Sequence, residues 1–211
     1  MGSFNFKAEQ KSLILGTLLG DACLEKRHKN PRLRIDHAVA QKDYVFWKYG
    51  ILQDCATQEP HALYDRDNRT GVVFCRWYFA TSSMPELNFY HQLFYQDRKK
   101  VIRKSIKQHF NQPLSLAVWL MDDGYKRNDC DALRISTDCF SREEQIILQE
   151  CLDDNFGIQS TLHRKGSAWN IYIPATQMER ARATLDPYII PSMKYKLPPR
   201  NDLRTQSSAA S

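Results

Sequence analysis

Two short apolar runs constrain this chain more than any other feature. Residues 14–22 read ILGTLLGDA and residues 116–124 read LAVWLMDDG. Each is an apolar stretch with helical spacing that ends on an acid beside a small residue. The acid is Asp21 in the first run and Asp123, preceded by Asp122, in the second. Asp123 follows Asp21 by 102 positions in a chain of 211 residues. That is close to half the length, and about 100 residues is an ordinary domain size. The spacing reads as an internal duplication in which each half brings one acid to the place where the two helices meet. Gly16 and Gly20 fall four apart, on one face of the first helix. Glycine in a helix interior costs roughly 1 kcal/mol relative to alanine, and two at this spacing let a second backbone come close.

The order of elements supports the duplication. The patterning predicts a helix over residues 7–20, strands over 22–28 and 32–39 with a turn at 28–31, and an amphipathic helix over 41–56. Tyr44, Trp47, Ile51 and Leu52 form the apolar face of that helix. A hairpin over 61–66 and 72–81 and a helix over 85–95 complete the first half. Residues 97–113, DRKKVIRKSIKQHFNQP, read as a charged linker that can hold a short helix. The second half then predicts a helix over 116–122 and strands over 125–130 and 131–138. A helix follows, opened by Ser141 with Glu144 as a capping box and closed by Gly157. A hairpin over 159–164 and 168–174 and a helix over 176–185 end the series. Both halves read αββαββα, an α+β chain. The expected division is 4–97, a linker 98–113, 114–199, and a flexible tail 200–211. Leu33-Arg34-Ile35 recurs as Leu133-Arg134-Ile135, 12 residues after one acid and 10 after the other. A lysine follows each acid at a similar distance, Lys100 after 79 residues and Lys196 after 73. Lys99 and Lys194 are the neighbouring candidates.

Charge narrows the function classes. The net charge is +6 with a pI near 9.0, which suits a polyanion whose counterions Lys and Arg displace. The six cysteines contain no CxxC pair, so they read as reduced, partly buried thiols rather than a zinc site. No apolar run approaches the roughly 18 residues of a membrane span. The expected setting is intracellular, without membrane association.

With both runs, the repeated strand order and the closing YKLP of residues 195–198 in view, the chain resembles the LAGLIDADG homing endonucleases. It is similar to the single-chain branch that carries two motifs, over roughly residues 9–199. LGDA and MDDG are spellings of that branch, Gly16 matches the motif glycine, and Asp21 and Asp123 match the last acid. Val118 stands where the second motif has a glycine, Ala22 where the first closes on glycine, and Asp122 is an additional acid.

The resemblance implies two pseudo-symmetric halves, each a saddle-shaped antiparallel sheet backed by helices and joined at a two-helix interface. It implies a monomeric, site-specific endonuclease that cuts both strands of double-stranded DNA and leaves 3′ overhangs. Asp21 and Asp123 would hold Mg²⁺, or Mn²⁺ or Ca²⁺ in the same place, with the carbonyls of Gly20 and Asp122 beside them. Lys100 and Lys196 match basic residues near the scissile phosphates. Strand alternation then selects a major-groove face: Arg32, Arg34, Asp36, Arg66 and Arg76 from the first half, and Arg134, Ser136, Thr161, Asn170 and Tyr172 from the second. Trp77 and Trp169 are expected in the core. The family also contains maturases that help an intron RNA fold and relatives that bind DNA without cutting. Host intron RNA is therefore the alternative partner. The expected compartment is left open between bacterial cytoplasm and an organelle, either chloroplast or mitochondrion.

Overall fold

The computed structural model describes residues 4–26, 29–166 and 168–199. The expected tail 200–211 and the end of the first expected strand, Arg27 and His28, lie outside the described residues.

Two helices stand side by side at the centre, α1 (Ala8–Leu19) and α4 (Pro113–Asp123). In α1 every residue from Ser12 to Leu19 is buried, and in α4 every residue from Leu114 to Asp122. A helix that is apolar on all sides has to be covered on all sides. The glycines explain how close the pair comes. A Cβ built on Gly16 would lie 2.3 Å from the Ser115 carbonyl oxygen and 2.8 Å from the Val118 Cβ. One on Gly20 would lie 2.4 Å from the Asp122 Cβ. Val118 thus fills the groove that Gly16 leaves, which is why a glycine is not needed on both helices. Gly16→Val is expected to destabilise the protein by about 3 kcal/mol or more, since overpacking against a rigid backbone has no flexible neighbour to move. Denaturant unfolding checks it, and an unchanged midpoint would contradict the close approach.

Around this pair the two halves repeat one topology. The first half runs β1 (Cys23–Glu25), β2 (Arg32–Ala38), α2 (Lys42–Leu52), β3 (His61–Arg66), β4 (Val73–Ala80) and α3 (Leu87–Phe94). Its antiparallel sheet has the order β1-β2-β4-β3. A two-stranded hairpin, β5 (Tyr95–Gln96) and β6 (Lys99–Lys100), follows. The second half runs α4, β7 (Gly124–Lys126), β8 (Leu133–Ile135), α5 (Arg142–Phe156), β9 (Thr161–Lys165), β10 (Ala168–Ile173) and α6 (Met178–Leu185). Its sheet order, β7-β8-β10-β9, is the same. The two four-stranded sheets and two helix-backed halves are the expected α+β architecture.

Local signals hold where they are strongest. Ser141 Oγ accepts the Glu144 N–H at 3.2 Å while Glu144 Oε2 accepts the Ser141 N–H at 2.7 Å. Gly157 (φ 64°) closes α5, with the Ile158 N–H returning to the Leu152 carbonyl at 2.9 Å. Three expectations change. The strands expected over 125–130 and 131–138 shrink to three residues each, because the polar stretch between them closes a loop pinned by the Arg127–Asp129 ion pair. The charged segment after residue 97 opens on a hairpin, which was not expected, and carries a short 3-10 helix, Lys104–Gln108. Asp97 (φ 48°) and Arg98 (φ 67°) form a tight left-handed turn between β5 and β6. On α2, Trp47 and Ile51 are only half-buried, and the buried set is Tyr44, Val45, Lys48 and Leu52.

Candidate active site

The ends of α1 and α4 carry Asp21 and Asp123. Their placement is electrostatically awkward, because a helix C-terminus already presents partial negative charge. Cations must gather there, and two lysines do. Lys100 Nζ donates to the Gly20 carbonyl at 2.8 Å and to the Ala22 carbonyl at 3.0 Å. Lys196 Nζ donates to the Asp122 carbonyl at 3.0 Å. Each lysine is therefore clamped to the carbonyl just before one acid, Asp21 or Asp123. The turn at Asp97-Arg98 delivers Lys100, and the 3-10 turn Pro191–Lys196 delivers Lys196. Their competitors Lys99 and Lys194 are exposed.

The two acids are not electrostatically equal. Burial, then the charges of Asp21 and Asp122, push the Asp123 carboxyl up to about 7, although Lys100 and Lys196 pull the other way. Burial also raises Asp21, but the His37 ring, Lys48 and Lys196 outweigh it and hold that carboxyl below its ordinary range. Burial pulls the Lys100 ammonium down.

Beneath the acids lies a network that sequence reasoning missed. The Asp122 carboxylate is wholly buried. It accepts from Lys48 Nζ at 2.7 Å, the Tyr44 hydroxyl at 2.7 Å, Thr17 Oγ1 at 2.9 Å and the Asp21 N–H at 3.3 Å. Lys48 is also wholly buried, and its ammonium is shared with Thr17 Oγ1 at 2.8 Å and His37 Nε2 at 2.9 Å. His37 Nδ1 lies 3.4 Å from Asp21 Oδ2. A signal was available: Lys48 sits four residues after Tyr44, a charge on the apolar stripe of α2, and Asp122 is the surplus acid that answers it.

This network also decides which groups fit a metal. One ligand atom each from Asp21, His37 and Asp122 lies within 4.8 Å of the others. The Lys48 ammonium already takes the Asp122 and His37 atoms, so that trio is occupied by a side-chain cation. The oxygens left are the Asp21 and Asp123 carboxylates and the remaining lone pairs of the Gly20 and Asp122 carbonyls. All are hard donors, and such a set fits a Mg²⁺-, Mn²⁺- or Ca²⁺-like ion.

Strand pairing sorts the expected groove-facing residues. Arg34 and Asp36 oppose Ala80 and Tyr78, and Ala38 opposes Arg76, so Arg32, Arg34, Asp36 and Arg76 share one face. Arg66 opposes Val73 whereas Arg76 opposes Leu63, so Arg66 is on the other face: side chains alternate with period two, and residue 66 has the wrong parity. The first-half arginines are tied into an ion-pair chain. Glu25 holds Arg32 and Arg34, Asp36 holds Arg34 and Arg76, and Asp65 holds Arg76. In the second half Arg134, Thr161, Asn170 and Tyr172 share a face. Ser136, two residues beyond Arg134, gives its N–H to the Asp123 carbonyl at 3.0 Å. Arg134 Nε has no hydrogen-bond partner among the described residues, and its guanidinium lies 5.9 Å from the Tyr172 ring centre. Asn170 departs from expectation. It is only 1% exposed, with its amide 3.2 Å from the Tyr125 hydroxyl, so it braces the sheet from within. Trp77 opposes His37 on the helix-backed face and is half-buried, as Trp169 is.

Comparison with known proteins agrees with this geometry. Residues 11–180 match the model of the LAGLIDADG DNA endonuclease family. The chain is 33% identical to the cytochrome b mRNA maturase bI2 of Debaryomyces hansenii, over 90% of this chain and 73% of that protein. It is 31% identical to the DNA endonuclease I-ChuI of Chlamydomonas applanata, over 90% of this chain and 94% of that protein. Among solved structures, the homing endonuclease I-WcaI bound to its DNA recognition sequence superposes with a TM-score of 0.86 at 26% identity. That match covers 92% of this chain and 88% of the other. I-DmoI in complex with DNA and Mn shares the fold, with a TM-score of 0.53 at 14% identity over 84% and 96% of the two chains. Paired acids, clamped lysines, repeated sheets and these likenesses agree: the chain belongs to the LAGLIDADG DNA endonuclease family.

Proposed function

We propose that this chain is a site-specific homing endonuclease that hydrolyses both strands of double-stranded DNA, with Mg²⁺ as its working ion. One observation carries the reading: the ends of two matched helices meet, the Asp21 N–H donating to Asp122 Oδ2 at 3.3 Å, and the carbonyl just before each acid is clamped by a lysine. Asp21 and Asp123 hold the ions, aided by the Gly20 and Asp122 carbonyls. Divalent ions supply a water nucleophile and neutralise charge on the phosphate. The protein's own groups do the rest. Lys100 and Lys196, fixed on backbone oxygens, place positive charge where the phosphate becomes more negative. The two sheets seat the duplex, with Arg32, Arg34, Arg76 and Arg134 offered to phosphates and base edges. The pseudo-twofold of the site matches that of the two DNA strands, so each acid attends one strand. Both acids are on one chain, so a monomer suffices. We place it inside the cell, in bacterial cytoplasm or an organelle.

Incubating the protein with a randomised DNA library and Mg²⁺, then sequencing the cut ends, tests the reaction and finds the target together. Uncut DNA across Mg²⁺, Mn²⁺ and Ca²⁺ would refute it. Likeness to a cytochrome b mRNA maturase favours one second reading, assistance to the splicing of a host intron RNA. A splicing assay with that intron decides it, and an unchanged rate would dismiss it.

The acids should titrate apart in the metal-free protein. Carboxyl NMR is expected to show Asp123 changing near pH 7 and Asp21 below its ordinary value of 3.8. Between about pH 4 and 7 the folded chain keeps on Asp123 a proton that the unfolded chain has lost. That group's contribution to stability therefore falls as pH rises through this window and is level above it. Two overlapping titrations near pH 4 would contradict the asymmetry.

A further inference from the structure

The pseudo-symmetry of the two halves breaks at one place beside the acids. Extending the match of Leu33-Arg34-Ile35 with Leu133-Arg134-Ile135 sets His37 against Thr137 and Lys48 against Leu148. All four are buried, His37 and Thr137 just past the matching triplets, Lys48 and Leu148 on α2 and α5. Among the described residues, only the first half buries an imidazole and an ammonium beneath its acid.

The hydrogen-bond partners assign the ring proton of His37. The Lys48 ammonium has three hydrogens and three acceptors: Thr17 Oγ1, Asp122 Oδ1 and His37 Nε2, at 2.8, 2.7 and 2.9 Å. The Thr17 hydroxyl sends its own hydrogen to Asp122 Oδ2, and the Tyr44 hydroxyl sends its hydrogen to Asp122 Oδ1. His37 Nε2 is thereby an acceptor, so the ring hydrogen sits on Nδ1, facing Asp21 Oδ2 at 3.4 Å. The other groups facing the ring are the Asp122 carboxylate, 3.8 Å from Nε2, and the Tyr44 ring, 5.0 Å away between centres. Among the described residues, no imidazole stands at a comparable distance from the Asp123 carboxylate.

We infer that His37, with its tautomer held by Lys48, is a positioning residue for Asp21 alone, so that its loss impairs the cutting of one DNA strand and not the other. The strand selectivity rests on the nuclease reading above. The tautomer does not. Partners of this kind typically change metal affinity or activity by roughly 10- to 100-fold when removed.

Two measurements test it. The first is strand-resolved cleavage of a supercoiled plasmid carrying the target, by His37→Thr, which installs the second half's residue. Nicking of one strand is expected to slow by about 10- to 100-fold, with accumulation of nicked circle. His37→Asn, whose amide can still donate to Asp21, is expected to restore much of the balance. Equal slowing of both strands, or none, overturns the inference. The second is ¹⁵N NMR of the imidazole in the metal-free protein. An Nδ1–H tautomer whose Nδ1 resonance moves in Asp21→Asn is expected, as is loss of that single tautomer in Lys48→Met/Asp122→Asn. An Nε2–H ring, or one indifferent to Asp21→Asn, overturns it. If the parent protein cuts no DNA, the nuclease reading fails, and the NMR result alone decides whether His37 orients Asp21.

Discussion

Asp21→Asn and Asp123→Asn are each expected to abolish double-strand cleavage while leaving DNA binding intact. The substitution keeps the shape of the side chain and removes its charge, so the helix interface is undisturbed. What is lost is the carboxylate that a divalent ion requires. Removing a single preorganised electrostatic contact in an enzyme commonly costs roughly 10²- to 10³-fold, and loss of an ion costs at least as much. Binding should be equal or tighter, because an acid near the phosphates repels them and its loss favours association at fixed salt. Cleavage kinetics in parallel with gel-shift titration check the prediction. Near-parental cutting by either variant would remove that acid from the site. Parallel loss of cutting and binding would mean that the acids shape the duplex-binding surface instead.

The second large effect concerns stability. Lys48→Met is expected to destabilise the protein by about 3–5 kcal/mol, because it strands a buried carboxylate without its cation. Asp122 keeps its contacts with Tyr44 and Thr17, but neither neutralises it. Pairing the change with Asp122→Asn removes both charges and preserves the shape that packs on Gly20. Replacing both members of a buried ion pair is often nearly neutral, so the double variant should recover most of the loss. Urea unfolding of the single and double variants measures it. A double variant as unstable as the single one would show that Lys48 acts through packing, not charge.

These predictions fall on residues of different legibility. Asp21 and Asp123 could be read from sequence because each ends an apolar run whose helical period is local. The same holds for the capping box Ser141–Glu144 and the αL stop at Gly157. Gly16 and Gly20 announced a close contact, although not that Ser115, Val118 and Asp122 would fill it. Asp122 shows the opposite case. The resemblance gave a role to its carbonyl and none to its carboxylate, which is the buried partner of Lys48, 74 residues away.

The groove-facing residues mark the same boundary. Alternation put Arg32, Arg34 and Asp36 on one face, as the pairing of β2 with β4 does, since a single strand carries its own parity. It misplaced Arg66, because parity at the far end of a hairpin depends on pairing with β4. It could not foresee that Asn170 is capped by Tyr125, which comes from a different strand 45 residues earlier.

By itself, the sequence determined the duplication, the strand and helix order, the two acids and the pair of lysine candidates, because each is written either in local period or in the spacing at which a motif recurs. Tertiary structure alone decided which lysines reach the helix ends, how Lys48 and Asp122 neutralise each other, and that His37 leans on one acid only. Those depend on distances between segments far apart in the chain, and burial, not local pattern, sets the energy of a charge.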